Sequence, residues 1–187
     1  RRRGMAYARD CLRYLGIAAA IVPLGLIAQR KGWGKQRAFV LAASAVPPVV
    51  ATVVAARQES GSTQATPGKR RHGLTVRTAN GQSLSFGQAL VRNSVKIAIP
   101  WQLGHTVAVG AAFGGFDEQD PLTTAATLVT YPLLAVLIGS VLLGDGRALH
   151  DRVAGSKVLL VSEYQCGDKP DSGSRPGAVR PTLRFAG

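Results

Sequence analysis

Acidic residues, cysteines and histidines are scarce in this chain of 187 residues. It has 10 Asp and Glu against 23 Lys and Arg, which gives a formal net charge of +13. The two cysteines, Cys11 and Cys166, are too few and too far apart in the sequence to indicate a disulfide framework or a metal site. The three histidines have neither the spacing of metal ligands nor that of a catalytic triad. The sequence therefore predicts no enzyme, no cofactor and no bound metal.

Charges of either sign are missing from four long stretches of the chain. These stretches cover residues 14–29, 38–56, 97–116 and 121–144, and contain 16, 19, 20 and 24 residues. A helix needs about 20 apolar residues to cross a bilayer. The last three can therefore span unaided, and the first can span if its helix begins before Asp10. This pattern predicts a small multi-pass membrane protein and excludes a soluble enzyme, a secreted disulfide scaffold and a free DNA-binding domain.

Basic residues are concentrated outside these stretches. Five precede the first stretch, seven lie in the linker 57–96, and seven follow the fourth stretch. The turn between the third and fourth stretches has only acidic charges, Asp117, Glu118 and Asp120. Because cytoplasmic loops are enriched in Lys and Arg, we expect both termini and the linker to be cytoplasmic. The first turn has four basic residues and does not fit this orientation: Arg30, Lys31, Lys35 and Arg37.

The linker contains signals for short structural elements. Residues 66–73 begin with Thr-Pro and end with Gly, which is typical of one short helical turn. Residues 74–78 alternate in polarity and precede Asn80-Gly81, which predicts a β-hairpin that returns from residue 82. A strand at 157–161 would add a third member. Ser85 and Gln88 have the spacing of a capping box that begins a helix.

These patterns predict a mainly α fold, namely a four-helix transmembrane bundle with a small cytoplasmic β-hairpin element. We expect the spans at about residues 7–28, 38–56, 97–116 and 121–144. The membrane domain would cover residues 1–161. Residues 162–187 are predicted to form a flexible basic tail that is rich in Pro and Gly.

Asp10 is a carboxylate within the predicted first membrane helix. A charged residue at the centre of such a helix costs about 2.5–3.5 kcal/mol on insertion scales, and it usually faces a partner or a cavity. One interpretation is that Asp10 binds a proton or a cation. The alternative is a structural ion pair with Arg13 or with Arg152.

Four short motifs lie in order along the chain. The first helix begins with Arg3 and places Asp10 seven residues later, in an R-x-x-A-x-x-x-D pattern. Residues 66–76 read T-P-G-K-R-R-H-G-L-T-V, residues 89–93 read A-L-V-R-N, and residues 149–158 read L-H-D-R-V-A-G-S-K-V. In this order the motifs resemble those of the RDD family of bacterial integral membrane proteins, except that Ser156 stands where Thr is usual.

The resemblance covers the chain from Arg3 to about Val161. It implies that the Arg and the two Asp that give the RDD family its name are Arg3, Asp10 and Asp151. It also implies a location in the bacterial plasma (inner) membrane, and some members of the family are linked to sodium–proton antiport. With Arg92, these residues would form a charge-balanced cluster at the cytoplasmic face. The cluster is interpreted either as an ion gate or relay, or as a structural cluster that joins the first and fourth helices to the linker.

Three further features have a functional and a structural interpretation each. His105 in the third span could relay protons or could hydrogen-bond a neighbouring helix. Pro47-Pro48 must kink or break the second span, and a broken helix can form an ion site. Residues 110–114 match the G-x-x-x-G pattern, which predicts close helix packing within the bundle or between copies.

Lys69, Arg70 and Arg71 are expected to contact anionic lipid head groups rather than nucleic acid, at about 1 kcal/mol for each basic residue. The function expected from the whole sequence is a non-enzymatic, transport-related role for an ion or a small solute, of the antiporter type. The alternative is an accessory subunit or assembly factor of a larger membrane complex. The expected partners are a bilayer with anionic lipids and either further copies of the chain or a larger membrane complex.

Overall fold

The computed structural model describes residues 2–142 and 147–161. The predicted tail, residues 162–187, lies outside the described residues, as does the end of the fourth predicted span. Eight α-helices account for most of the described chain: α1 (Arg2–Arg30), α2 (Arg37–Ser44), α3 (Val46–Ser60), α4 (Pro67–Arg71), α5 (Phe86–Asn93), α6 (Ile99–Ala112), α7 (Pro121–Leu142) and α8 (Leu149–Val153). A one-turn 3-10 helix, Trp33–Lys35, follows α1, and a π-helical segment, Ser94–Ala98, connects α5 to α6.

Three helical segments in the described part of the chain are long and apolar enough to cross a membrane, where four were predicted. They are Arg2–Arg30, Arg37–Ser60 and Pro121–Ser140. The predicted span at 97–116 instead contains α6, which continues α5 and the π-helical segment as one helix. Because Arg92 and Lys96 lie within this helix, its uncharged part is residues 97–112, which rises about 24 Å, less than the roughly 30 Å of a bilayer core. The π-helical segment precedes α6, and Gly114 at φ 74° follows its end, a left-handed conformation that commonly terminates helices.

The second candidate span is interrupted, as the Pro47-Pro48 pair predicted. Helix α2 ends at Ser44, and α3 begins at Val46, immediately before the two prolines. Proline has no N–H to donate and its ring clashes with the preceding turn. The break therefore lies at Ala45, at the start of the proline pair.

Helices α6 and α7 pack closely as an antiparallel hairpin. A Cβ added to Gly110 would lie only 2.1 Å from the Thr123 hydroxyl oxygen, so this position needs a glycine. At the other end of the pair, Pro100 and Leu134 line the same cavity. The first glycine of the G-x-x-x-G pattern is thus used in packing within the chain, whereas a Cβ at Gly114 would meet nothing within 4 Å.

A small antiparallel sheet of two strands is present: the strand predicted at 157–161 is confirmed to within one residue, but the return strand predicted after residue 82 does not form among the described residues. Strand β1 (Leu74–Thr78) pairs with β2 (Ser156–Leu160), from Leu74 opposite Leu160 to Thr78 opposite Ser156. The turn at Asn80-Gly81 does form, since the Thr78 amide donates to the Gln82 carbonyl at 2.9 Å. The return strand is too short to continue because α5 begins at Phe86, where the predicted Ser85–Gln88 capping box is confirmed.

The core beside this sheet draws together distant parts of the chain. Its buried residues come from α1, α3, β1, α5 and β2, together with the loop before α5: Ala6, Ala56, Leu74, Val76, Leu84, Ala89 and Val158. In addition, Arg3 donates through Nη2 to the Val158 carbonyl at 2.7 Å. The start of α1, the linker and the segment after α7 therefore lie on one side of the bundle, which we call the sheet side.

Large apolar side chains are exposed along α1 and α7. Leu12 and Leu24 of α1 are 68% and 64% exposed, and Leu128 and Ile138 of α7 are 70% and 59% exposed. Bilayer lipid is the environment that such helices require. The exposed apolar surface thus fits a membrane protein.

Candidate functional site

A buried ion-pair network lies on the sheet side and is centred on Arg92. This residue lies in the last turn of α5, and only 1% of its side chain is exposed. Its Nη1 donates to both carboxylate oxygens of Glu59 at 2.8 and 2.6 Å, and its Nε donates to Asp151 Oδ1 at 2.8 Å. The guanidinium group therefore joins the end of α3 to α8, as its fork of donors allows.

Two more donors complete the surroundings of Glu59. Lys69 donates from Nζ to Glu59 Oε1 at 2.7 Å, and Asn93 donates from Nδ2 to Oε2 at 2.8 Å. The Glu59 side chain is fully buried. A buried carboxylate is stable only with such compensation, and each oxygen of Glu59 accepts two hydrogen bonds.

Asp10 lies at the far end of the same chain of contacts. Its carboxylate accepts from the Thr66 hydroxyl group and from the Gly68 amide, the latter at 2.9 Å. These donors replace the predicted ion pairs with Arg13 or Arg152. Thr66 in turn accepts from Lys69 Nζ at 3.3 Å, so Asp10 is connected to Glu59 through two side chains.

The approach of α4 to α1 requires a glycine at position 68. A Cβ added to Gly68 would lie 2.3 Å from the Ala6 carbonyl oxygen and 2.6 Å from Asp10 Oδ1. Without a side chain, the Gly68 backbone can present its amide directly to the carboxylate. The T-P-G stretch thus holds Asp10 with one hydroxyl and one backbone donor.

Three of the four residues of the predicted cluster interact. Arg92 and Asp151 are hydrogen-bonded, and Arg3, which also donates to the Val158 carbonyl of β2, is close enough for its charge to lower the pKa of Asp151, whereas Asp10 binds α4. All four nevertheless lie on the sheet side. The contacts run from α1 through α4, α3 and α5 to α8.

Titration of the residues in α8 is controlled by burial and by Arg92. Burial opposes ionisation of Asp151, but the positive charge of Arg92 outweighs it and lowers the pKa of this carboxyl group. Burial, together with the charge of Arg92, lowers the pKa of the adjacent His150 to about 3. At neutral pH, Asp151 is therefore ionised and His150 is neutral.

The three basic residues that were expected at lipid head groups have different positions. Lys69 is buried and paired with Glu59, so its ammonium group is not on the outer surface. Arg70 and Arg71 are exposed. Lipid contact by these two arginines remains a prediction.

The structure does not bring His105 to the network. This residue is exposed on α6 and stacks on Trp101, with ring centroids 5.8 Å apart. Its Nδ1 lies 3.0 Å from the Trp101 carbonyl oxygen of the same helix. The hydrogen bonds described for His105 are thus within α6 and not with a neighbouring helix.

On the opposite side of the bundle, an ion pair neutralises part of the positive charge of the first turn. Arg37 forms an ion pair with Asp120 and donates to the Thr123 hydroxyl group at 3.0 Å. Asp120 also accepts from the Thr123 amide at 2.7 Å, at the start of α7. The hydrogen bonds from Arg37 and Thr123 lower the pKa of Asp120. One cation of the first turn is therefore balanced by the acidic turn.

Glu59, Asn93 and Thr66 were missed as site residues by reasoning from the sequence. A signal for Glu59 was present, because it is the single acidic residue among the 40 residues of the linker 57–96, which has seven basic ones. Asn93 was noticed only as part of the A-L-V-R-N motif. Nothing local indicated that Thr66 would bind a residue 56 positions away.

A cavity of about 460 Å³ adjoins the network on the sheet side. One part of its wall is polar and includes Arg3, Lys69, Arg92, Lys96 and Asp151. The apolar part of its wall comes from several elements and includes Pro100 of α6 and Leu134, Leu137 and Ile138 of α7. The cavity thus has a charged end beside the network and an apolar side along the lipid-exposed helix.

Comparison with known proteins gives one match. The family model described as the RDD family matches residues 1–155. No curated protein and no solved structure matches the chain.

Proposed function

The chain belongs to the RDD family, and from that premise we propose that it is a non-enzymatic membrane protein with a transport-related role. The ion or small solute would bind in the cavity on the sheet side. The observation that supports this role most directly is that Lys69, Arg92 and Asp151 belong to the network and also line the cavity. A solute that enters the cavity would meet charges that are held in place by the fold.

Asp151 is the carboxylate best placed for an exchange of ions. It lines the cavity, whereas Asp10 is not among the lining residues. Asp10 also has both oxygens engaged by Thr66 and Gly68. In an antiporter-like cycle, Asp151 would therefore alternate between Arg92 and the exchanged cation, and Asp10 would position α4.

The location that we propose is the plasma (inner) membrane of a bacterium, with the sheet side and both termini in the cytoplasm. The distribution of Lys and Arg supports this orientation, since the linker has seven basic residues and the turn between α6 and α7 has none. The Arg37–Asp120 ion pair supports it too, because it offsets charge on the opposite side.

A flux assay tests the transport-related role. Proteoliposomes that contain the full chain and a pH-sensitive dye would be given a sodium gradient. We expect proton movement with the wild type, a loss of that movement with Asp151→Asn, and wild-type movement with Asp117→Asn, which alters an exposed turn on the other side. Absence of flux in the wild type, or full flux in Asp151→Asn, would contradict the proposal.

The second candidate function is that of an accessory subunit or assembly factor. It is favoured by the saturation of Asp10 and Glu59, whose four oxygens all accept hydrogen bonds from the protein. Groups held in this way can serve as structural joints. Native mass spectrometry of protein released gently from its own membrane would separate the candidates. A stoichiometric complex with other proteins supports the subunit, and a single chain or homo-oligomer supports transport.

A further inference from the structure

Lys96 gives the cavity a positive charge that is not balanced in the way that the charges of the neighbouring network are. Within the network, Glu59 and Asp151 balance Lys69 and Arg92. Lys96 lies outside this balance, because no carboxylate in the described residues is within 4.0 Å of its ammonium group. Its described contact is the ring of Tyr7, with Nζ 4.7 Å from the ring centroid. The cavity therefore contains a cation whose described partner is an aromatic face.

The position of Lys96 favours an anion inside the cavity. Lys96, Arg3 and Tyr7 all line it, so an anion that enters the cavity would meet two cations. Burial and the charge of Lys69 lower the pKa of Lys96 to about 7. A bound anion would favour the ammonium form.

The apolar wall shows that the ligand is not only an anion. Leu134 and Ile138 line the cavity and are also exposed on the outside of α7, at 36% and 59%. The apolar wall is thus continuous with the surface that faces lipid. A ligand that enters from the bilayer along α7 would keep its apolar part in contact with apolar side chains.

We propose that the cavity binds one anionic phospholipid, with the head-group phosphate at Lys96 and Arg3 and an acyl chain along Leu134 and Ile138. The volume of about 460 Å³ is within the range of small-molecule sites, roughly 300–1,000 Å³. It accommodates a head group and the start of a chain, while the rest of the lipid stays in the bilayer. Basic pockets between membrane helices are a recurring form of lipid recognition. The proposal goes beyond the proposed function, because lipid binding does not require flux.

The proposal is tested by native mass spectrometry of the purified full chain in detergent. Dioleoyl phosphatidylglycerol and dioleoyl phosphatidylcholine would be titrated separately. We expect one phosphatidylglycerol to bind in preference to phosphatidylcholine, and Lys96→Gln to weaken that binding about fivefold, the fold-change typical of one basic residue at a lipid head group. Lys96→Arg should restore binding, and Lys35→Gln, which alters an exposed cation of the 3-10 helix after α1, should leave it unchanged.

A second arm distinguishes a lipid from a free phosphate. Glycerol-1-phosphate, the head-group chemistry without acyl chains, would be added as a competitor, and Ile138→Asn would place a polar group on the apolar wall. We expect weak competition and a loss of phosphatidylglycerol binding in Ile138→Asn. Strong competition with unaltered binding in Ile138→Asn would overturn the lipid in favour of a free anion. An equal effect of Lys35→Gln and Lys96→Gln would overturn the site in favour of general surface attraction.

Two controls keep these outcomes interpretable. A melting curve and a gel-filtration profile would show that each variant is folded, and Lys96→Arg provides a folded variant that retains the charge. The flux assay is scored independently of lipid binding. Binding that depends on Lys96 without any flux would support the lipid site and contradict transport, whereas flux without such binding would do the reverse.

Discussion

The two ends of the helix bundle balance their charges in different ways. On the sheet side, Arg92 and Glu59 are at most 1% exposed, and seven side chains and one backbone amide share the hydrogen bonds. On the opposite side, Arg37 and Asp120 are 28% and 19% exposed and form a single pair beside Thr123. The dielectric response of water screens the exposed pair but not the buried one. The loss of an ion pair is therefore expected to cost much more unfolding free energy on the sheet side than on the opposite side.

The largest effect is expected from removal of the central cation by Arg92→Met. This change would leave Glu59 and Asp151 buried without their shared partner, and breaking a buried ion pair in this way costs about 3–5 kcal/mol of unfolding free energy. Chemical denaturation in detergent would measure the loss. Adding Glu59→Gln and Asp151→Asn to the same variant should recover part of it, because the uncompensated charges are removed. A triple variant as unstable as Arg92→Met would show that shape, not charge, dominates.

The next largest effect is expected from Gly68→Ala. The new methyl group would lie 2.3 Å from the Ala6 carbonyl oxygen, so α4 must move away from α1 and Asp10 would lose the Gly68 amide. Overpacking of this kind costs about 1–3 kcal/mol. The matched control is Gly87→Ala in α5, where the new methyl group would meet only the Ser85 hydroxyl oxygen, at 4.0 Å, and the same denaturation assay should find it neutral or slightly stabilised. Equal stabilities of the two alanine variants would contradict the close approach.

A smaller effect is expected from pH on the sheet side. His150 faces Arg92, Asp151, Lys96 and Lys69, and its pKa is lowered from 6.5 to about 3. The unfolded chain therefore binds a proton that the folded chain does not between these two values, and stability should fall as the pH decreases from about 6.5 towards 3. Asp151 adds a further loss below its unfolded value of 3.8, since its folded pKa is lower. Melting temperatures from pH 7 to 4 would show the trend.

The control for this trend is His150→Asn, which removes the imidazole group. It should reduce the loss of melting temperature between pH 6.5 and 4.5. A wild type that keeps a constant melting temperature in this range would contradict a buried neutral histidine.

The smallest effect is expected at the opposite end of the bundle, from Arg37→Gln. An exposed pair contributes little and is screened by salt, so the change in melting temperature should be far below that of Arg92→Met. Raising the salt concentration should remove most of the remaining difference between Arg37→Gln and the wild type, while the defect of Arg92→Met should persist. A defect of similar size in the two variants would contradict the contrast between the two ends.

Sequence signals were reliable where neighbours along the chain determine the structure. The Ser85–Gln88 capping box, the short helix at Pro67–Arg71 and the break before Pro47-Pro48 were predicted from adjacent residues and are present. In each case the hydrogen bonds concerned lie within a few residues of the signal. Local patterns therefore predicted most of the helical elements.

Predictions failed where the partner is far away in the sequence. The turn at Asn80-Gly81 forms, yet the return strand predicted after it is absent, and β1 pairs directly with β2, which was expected only as a third strand. Asp10 has the hydroxyl of Thr66 and the amide of Gly68 as partners in place of an arginine, and Lys69 is drawn inside by Glu59. A buried carboxylate needs a hydrogen-bond donor, but the residues next to it in the sequence do not specify which donor it will have. Such partners are determined by packing.

The pairing of β1 with β2 has a consequence for biosynthesis. Arg3 and Val158, which are hydrogen-bonded, are 155 positions apart, and Asp151 reaches Arg92 only after α7 has been made. Long-range contacts form late because the intervening chain must first be ordered. While α6 and α7 are still being translated, Glu59 and Arg92 can already form their ion pair. At that stage β1 cannot yet pair with β2, and Arg92 cannot yet bind Asp151. The polar interior is thus complete only after the final helix has been inserted. A chain truncated before this helix would expose an incomplete polar interior, which cellular quality control would recognise.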